Sequence, residues 1–152
     1  MKLTWDDLLI QDLAEEDQAT LLPPWSFLLQ GRVSPIFLSK FGSWFLRRPT
    51  GEVDVLDVLQ GEVRTVAASY ESFVKNVNAR EWQEENLFSL LVYELHGASK
   101  VAKGRECYAL VPHPALGGPN PARGDSVDPE RVIVMGMRVW QSICRQTLGG
   151  PP

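Results

Sequence analysis

The stretch Ser43-Trp44-Phe45-Leu46-Arg47-Arg48-Pro49-Thr50-Gly51-Glu52-Val53-Asp54-Val55-Leu56-Asp57-Val58 reads as strand, turn, strand. Trp44 to Arg47 is a short, mostly apolar run, and Val53 to Val58 resumes after Pro49-Thr50-Gly51. Proline fixes its own φ, and glycine permits a turn that a side chain would resist. The pattern repeats on both sides. Pro35 to Leu38 precedes it across a break at Phe41-Gly42, and Val63 to Ala67 follows a break at Gln60-Gly61. Short β-branched and aromatic runs at this spacing predict an antiparallel meander of three or four strands.

Helical signals flank the meander. Thr4 followed by Asp7 resembles a capped helix start, with Leu8, Leu9 and Leu13 as its apolar stripe. Pro23-Pro24 must break that helix, leaving Trp25 to anchor the next turn to the core. Ser69 caps a short helix carrying Phe73, and Arg80 to about Ala98 reads as one longer helix with a Leu87, Leu91, Leu95, Ala98 stripe. Val132 to Met135 is a further strand, and Met137, Trp140 and Cys144 recur at helical spacing. The expected fold is therefore α+β: a single domain over residues 1–148 with an antiparallel β-meander packed against helices, and a flexible tail at 149–152.

The composition is that of an ordinary globular chain, with 44% hydrophobic and 22% charged residues. Its net charge of −4 is concentrated at the start, where Asp6, Asp7, Asp12, Glu15, Glu16 and Asp17 face Lys2 alone. That balance argues against direct nucleic-acid binding, which favours a basic surface. Acids near a helix N-terminus complement its dipole, and they could also meet a basic protein partner. Acids interrupt any apolar stretch near the N-terminus, and no run reaches the roughly 18–20 residues of a membrane helix, so the expected location is cytoplasmic.

The candidates for chemistry are few. Cys107 and Cys144 form no Cys-x-x-Cys pair and read as small buried residues. Glu94 and His96 point to different sides of a helix, and neither histidine sits at metal-ligand spacing, so no metal and no cofactor are expected. Glu52, Asp54 and Asp57 share a hairpin; the odd spacing of Asp54 and Asp57 sends them to opposite faces, and they read as solvated edge charges. No phosphate-binding glycine loop and no nucleophile elbow occurs.

A second stretch, Gly104 to Gly118, runs from a short strand through Pro112-His113-Pro114 to Leu116-Gly117-Gly118. The prolines make a rigid corner that could hold the His113 imidazole outward toward a partner or leave it an ordinary loop side chain. A Cys107–His113 dyad is conceivable, but no third residue is suggested to orient it.

Several segments together resemble a bacterial family associated with type VI secretion immunity proteins, a domain that often follows a GAD-like domain. They are Leu3-Thr4-Trp5-Asp6-Asp7, Pro24-Trp25, Phe41-Gly42-Ser43-Trp44-Phe45-Leu46, Val55-Leu56-Asp57 with Gly61, and Ala68-Ser69 with Phe73. Gly104-x-x-Cys107-Tyr108 followed by Pro112-x-Pro114-x-Leu116-Gly117-Gly118 is the strongest of them. The chain departs at Ala109-Leu110, where the family usually has Gly-Phe, and at His113, where it usually has a second proline. The resemblance implies an α+β, SUKH-like module that neutralises a toxin, in some cases a nuclease, by binding it. The expected function is thus a non-enzymatic protein-binding module with a basic toxin as partner; the alternative is a regulatory or scaffold protein with no toxin partner. The candidate partner-binding residues are Asp12, Glu15, Glu16 and Asp17 in the acidic segment, and Pro112, His113 and Pro114 at the corner.

Overall fold

In the computed structural model, which describes residues 2–149, strands pair in the order in which the chain supplies them. β1 (Leu9–Ile10), β2 (Ser34–Ser39), β3 (Trp44–Arg47), β4 (Val53–Asp57) and β5 (Glu62–Ala67) form one antiparallel sheet in the order β1-β2-β3-β4-β5. The register of its central pair sets Trp44 opposite Leu56 and Arg47 opposite Val53, joined by the turn around Gly51. The meander expected from the turn residues is present, and the fold is a single α+β domain.

β6 (Glu106–Leu110) and β7 (Val132–Gly136) make a second, two-stranded antiparallel sheet. Tyr108 N–H donates to Lys40 O at 2.7 Å, which ties β6 to the loop between β2 and β3. Among the described residues six α-helices pack around the sheets: α1 (Trp5–Leu8), α2 (Glu15–Leu21), α3 (Tyr70–Asn76), α4 (Arg80–Leu87), α5 (Ser89–Gly97) and α6 (Met137–Thr147). Ser69 caps α3 as expected, its hydroxyl oxygen accepting from Ser72 N–H at 3.1 Å. α6 buries Met137, Trp140 and Cys144, the spacing read from the sequence.

Three expectations are corrected. The first helix does not extend along Leu8, Leu9 and Leu13; it ends at Leu8, and Leu9–Ile10 pair with β2. Leu8, Leu9 and Ile10 are all buried, and three consecutive apolar residues cannot share one narrow helical stripe. The long helix expected from Arg80 to Ala98 is broken at Phe88, which adopts φ 54° and ψ 46°. Leu87 on one segment and Leu91, Val92 and Leu95 on the next are still buried in the same core. Asp54 and Asp57 are not solvated edge charges, because β4 is an inner strand and both carboxylates are buried. Asp54 pairs with Arg48 Nε at 2.8 Å and accepts from the Thr65 hydroxyl at 2.8 Å. Asp57 pairs with Arg64 at 2.8 Å and accepts from Leu59 N–H at 2.9 Å and Gln60 N–H at 3.0 Å.

The corner after β6 turns through a cis Val111–Pro112 bond and a 3-10 turn at Pro114–Leu116. Gly118 is required there: a Cβ on it would stand 2.0 Å from Pro112 O. Of the expected tail, residues 150–152 lie outside the described residues, and Gly149 closes the last turn with its N–H on Gln146 O at 3.3 Å.

Candidate functional site

The acidic segment splits by position. Asp12 precedes α2, while Glu15 and Glu16 open its first turn; all three are exposed, and their carboxylates make no hydrogen bond or ion pair among the described residues. Asp17 faces the other way and is buried. Its carboxylate takes Arg138 Nη2 at 2.7 Å and Arg138 Nε at 2.8 Å on one oxygen, and Arg105 Nη1 at 3.3 Å on the other. Asp17 therefore offers a partner no free charge, contrary to its expected place on the binding face. Its neighbours differ because the helical turn carries residue 17 to the face that meets β6 and α6. Arg105 also reaches Asp12 O at 3.5 Å, beside a cleft of about 390 Å³ between Leu9–Asp12 and Gly104–Arg105.

The corner does not hold its imidazole outward. His113 is 4% exposed and lies 5.8 Å from the Trp140 ring. Its Nδ1 accepts from Ala115 N–H at 3.0 Å, so the proton sits on Nε2, which donates to Val58 O at 2.9 Å. Burial holds its pKa below the ordinary value, with the Val58 hydrogen bond and Asp57 opposing. The imidazole is spent as a brace: it caps the 3-10 turn and pins it to the end of β4. Pro112 and Pro114 are half-buried, and the outward tip is Leu116, 67% exposed. No hydrogen bond, ion pair or ring contact joins this corner to Asp12–Asp17 among the described residues.

The remaining reactive groups are internal. Cys107 lies in β6 with its thiol pushed up to about 12 by burial, Lys40 opposing. Burial raises the Cys144 thiol as well. A thiol so shifted carries almost no thiolate near neutral pH, and thiolate is the nucleophile. Lys40 is fully buried, its Nζ donating to Gly104 O at 2.7 Å, and burial lowers its pKa. His96, at the end of α5, sits with Nε2 4.0 Å from Asp7 Oδ1 and without a hydrogen bond. Among the described residues no group of three or more His, Cys, Asp or Glu side chains is arranged to hold a metal ion.

Two features escaped the sequence reading. The Gln141 amide lies at the centre of the core, its Oε1 accepting from Trp25 Nε1 at 2.9 Å and Trp44 Nε1 at 3.0 Å. The second is an unpartnered face of α5, where Leu90 is 61% and Tyr93 49% exposed. The signal for it was legible: both fall off the stripe of Leu87, Leu91 and Leu95 and are three apart, hence neighbours on the helix surface. Taken together, the chain is a small α+β domain in which Lys40, Cys107, His113 and Cys144 are buried while Asp12, Glu15, Glu16, Leu90 and Tyr93 are exposed. No protein-family model matches the chain, and no curated protein matches it. Among the described residues no helix is long and apolar enough to cross a membrane.

Proposed function

We propose that this chain is a non-enzymatic protein-binding module acting in the bacterial cytoplasm, and that its partner is a basic toxin of the type VI secretion kind. It neutralises that toxin by occluding its active surface. The observation that carries this reading is the division of the chain's polar groups. The candidate nucleophiles and bases are tied down inside: Cys107 and Cys144 by burial, His113 by hydrogen bonds on both ring nitrogens. The carboxylates of Asp12, Glu15 and Glu16 are free and face solvent. A surface of uncompensated like charges steers an oppositely charged protein and sets its association rate more than its final affinity. The family resemblance carried by Gly104-x-x-Cys107-Tyr108 and the corner after it supplies the toxin as the partner class.

The test is co-expression with the products of adjacent genes, reading co-purification and rescue of growth from any toxic product. Rescue by direct binding supports the proposal. A stable partner with no toxicity would instead favour a scaffold role. With a basic toxin in hand, the Glu15→Lys/Glu16→Lys variant is expected to associate about tenfold more slowly at low salt, the difference closing as salt screens it. An unchanged association rate would remove the acidic segment from the steering surface.

A further inference from the structure

The left-handed residue Phe88 turns the chain between α4 and α5 and opens an elbow. Opposite it runs the loop after Pro121, and between them lies a cleft of about 270 Å³. Its apolar lining includes Phe88, Leu91 and Val127, with Phe88 held edge-on against Phe41 at 5.3 Å. Leu90 lines it and stands 61% exposed, with Tyr93 next to it one helical turn on. The charged residues lining the cleft are Glu84, Glu94 and Asp125, and no base joins them. The carboxylates of Glu84 and Glu94 make no hydrogen bond or ion pair among the described residues, while Glu81 and Glu85 add further negative charge on α4, where Arg80 is the lone base. The loop wall is ordered in advance: Asp125 accepts from Asn120 N–H at 2.8 Å, and the Asn120 side chain accepts from Ala122 N–H at 2.9 Å.

We propose that this elbow is the docking site for a basic polypeptide segment carrying one bulky apolar side chain. The apolar side chain enters against Phe88 and Leu91, and Lys or Arg residues beside it pair with Glu84, Glu94 and Asp125. The inference rests on the reading that this chain works by binding a protein, and it names where and by what chemistry. Three features select the occupant. At about 270 Å³ the cleft lies at the lower edge of the roughly 300–1,000 Å³ range of ligand pockets and has room for one bulky side chain. Its acids repel phosphate, an anionic membrane or nucleic acid. An apolar anchor within a polar rim is the usual form of an interface hot spot.

The probe is a short dye-labelled peptide with one Leu flanked by Lys and Arg, read by fluorescence anisotropy. One comparison peptide replaces the bases by Glu, and a second replaces Leu by Ser. The basic peptide is expected to bind the full chain and the acidic one not to bind. Glu84→Lys/Glu94→Lys is expected to weaken binding about tenfold or more, and Leu90→Asp several-fold, whereas Glu15→Lys/Glu16→Lys changes it less than about twofold. Urea unfolding of each variant separates loss of binding from loss of fold; Glu15, Glu16, Leu90 and Glu94 are exposed and Glu84 is half-buried. The proposal is overturned if the basic peptide fails to bind, if the Ser peptide binds as well as the Leu peptide, or if the Glu15/Glu16 variant loses as much as the Glu84/Glu94 variant. It is also overturned if Leu90→Asp abolishes self-association while no peptide binds, which would assign the cleft to a second copy. The two readings fail separately. A toxin that binds the parent and the Glu84→Lys/Glu94→Lys variant alike removes this cleft and leaves protein binding intact. Peptide binding without any toxin rescue keeps the cleft and removes the toxin.

Discussion

Gln141 is a side chain through which α6 holds both the Trp25 turn and the start of β3. Its Oε1 takes the indole N–H groups of Trp25 and Trp44, and its Nε2 donates to Gly42 O at 2.7 Å. Beside it, Trp140 Nε1 donates to Phe41 O at 2.7 Å, so the turn at residues 41–42 is held by two neighbours on α6. Gly42 must be glycine for this: at φ 93° an added Cβ would lie 2.8 Å from Trp140 Cδ1. Gln141→Leu keeps the volume but leaves two buried indole donors and a carbonyl without partners. Each such group costs roughly 1–3 kcal/mol, so with relaxation the variant should lose about 3 kcal/mol. Urea denaturation measures this, and a loss under about 1 kcal/mol would show that the indoles find other acceptors. Nothing local in Gln141-Ser142-Ile143 signals the role. A buried glutamine is recognised by what surrounds it, and its partners are about 100 residues away in sequence.

At the scale of elements, legibility follows how local the cause is. β2 to β5 could be read because each is bounded by its own turn residues, and α3 because Ser69 sits beside the helix it caps. The break at Phe88 could not, since a phenylalanine in left-handed backbone is disfavoured locally and is held by packing on Phe41. Asp54 and Asp57 misled because strand alternation gives the face of a residue and not whether its strand is inner or edge. The corner is the intermediate case: its prolines announced rigidity, but the direction of His113 depends on Val58, 55 residues earlier. That arrangement predicts a pH dependence. The folded corner needs neutral His113, whose pKa lies below its ordinary 6.5, so the unfolded chain binds the proton more readily. Its stabilising contribution is complete above about pH 6.5 and is lost as pH falls from there toward the folded value. His113→Gln should abolish this part of the slope of stability against pH. Identical slopes for the parent and the variant across mildly acidic pH would refute the assignment.

For the whole molecule, the question is what joins the meander and its helices to the second sheet. The apolar core supplies most of the energy, but it is non-directional and fixes the arrangement only loosely. Direction comes from polar ties, among them Tyr108 to Lys40 and the carboxylate of Asp17. Asp17 gathers α2, the start of β6 through Arg105, and α6 through Arg138, three segments remote from one another in sequence. It also explains why the first twenty residues are so acidic without all of that charge facing outward: one carboxylate is consumed by two guanidinium groups. Asp17→Asn keeps the shape and removes the charge. Breaking a buried pair costs roughly 3–5 kcal/mol when the abandoned ion stays buried. Here Arg105 and Arg138 are 49% and 64% exposed and can turn back to water, which brings the expectation down to about 2 kcal/mol. Glu16→Gln, at an exposed position on the same helix, should change stability by less than about 0.5 kcal/mol. Urea midpoints for the two variants at neutral pH give the comparison. If Asp17→Asn and Glu16→Gln proved equally mild, the triad would be an incidental contact, and packing with the Tyr108–Lys40 tie would have to orient the two sheets.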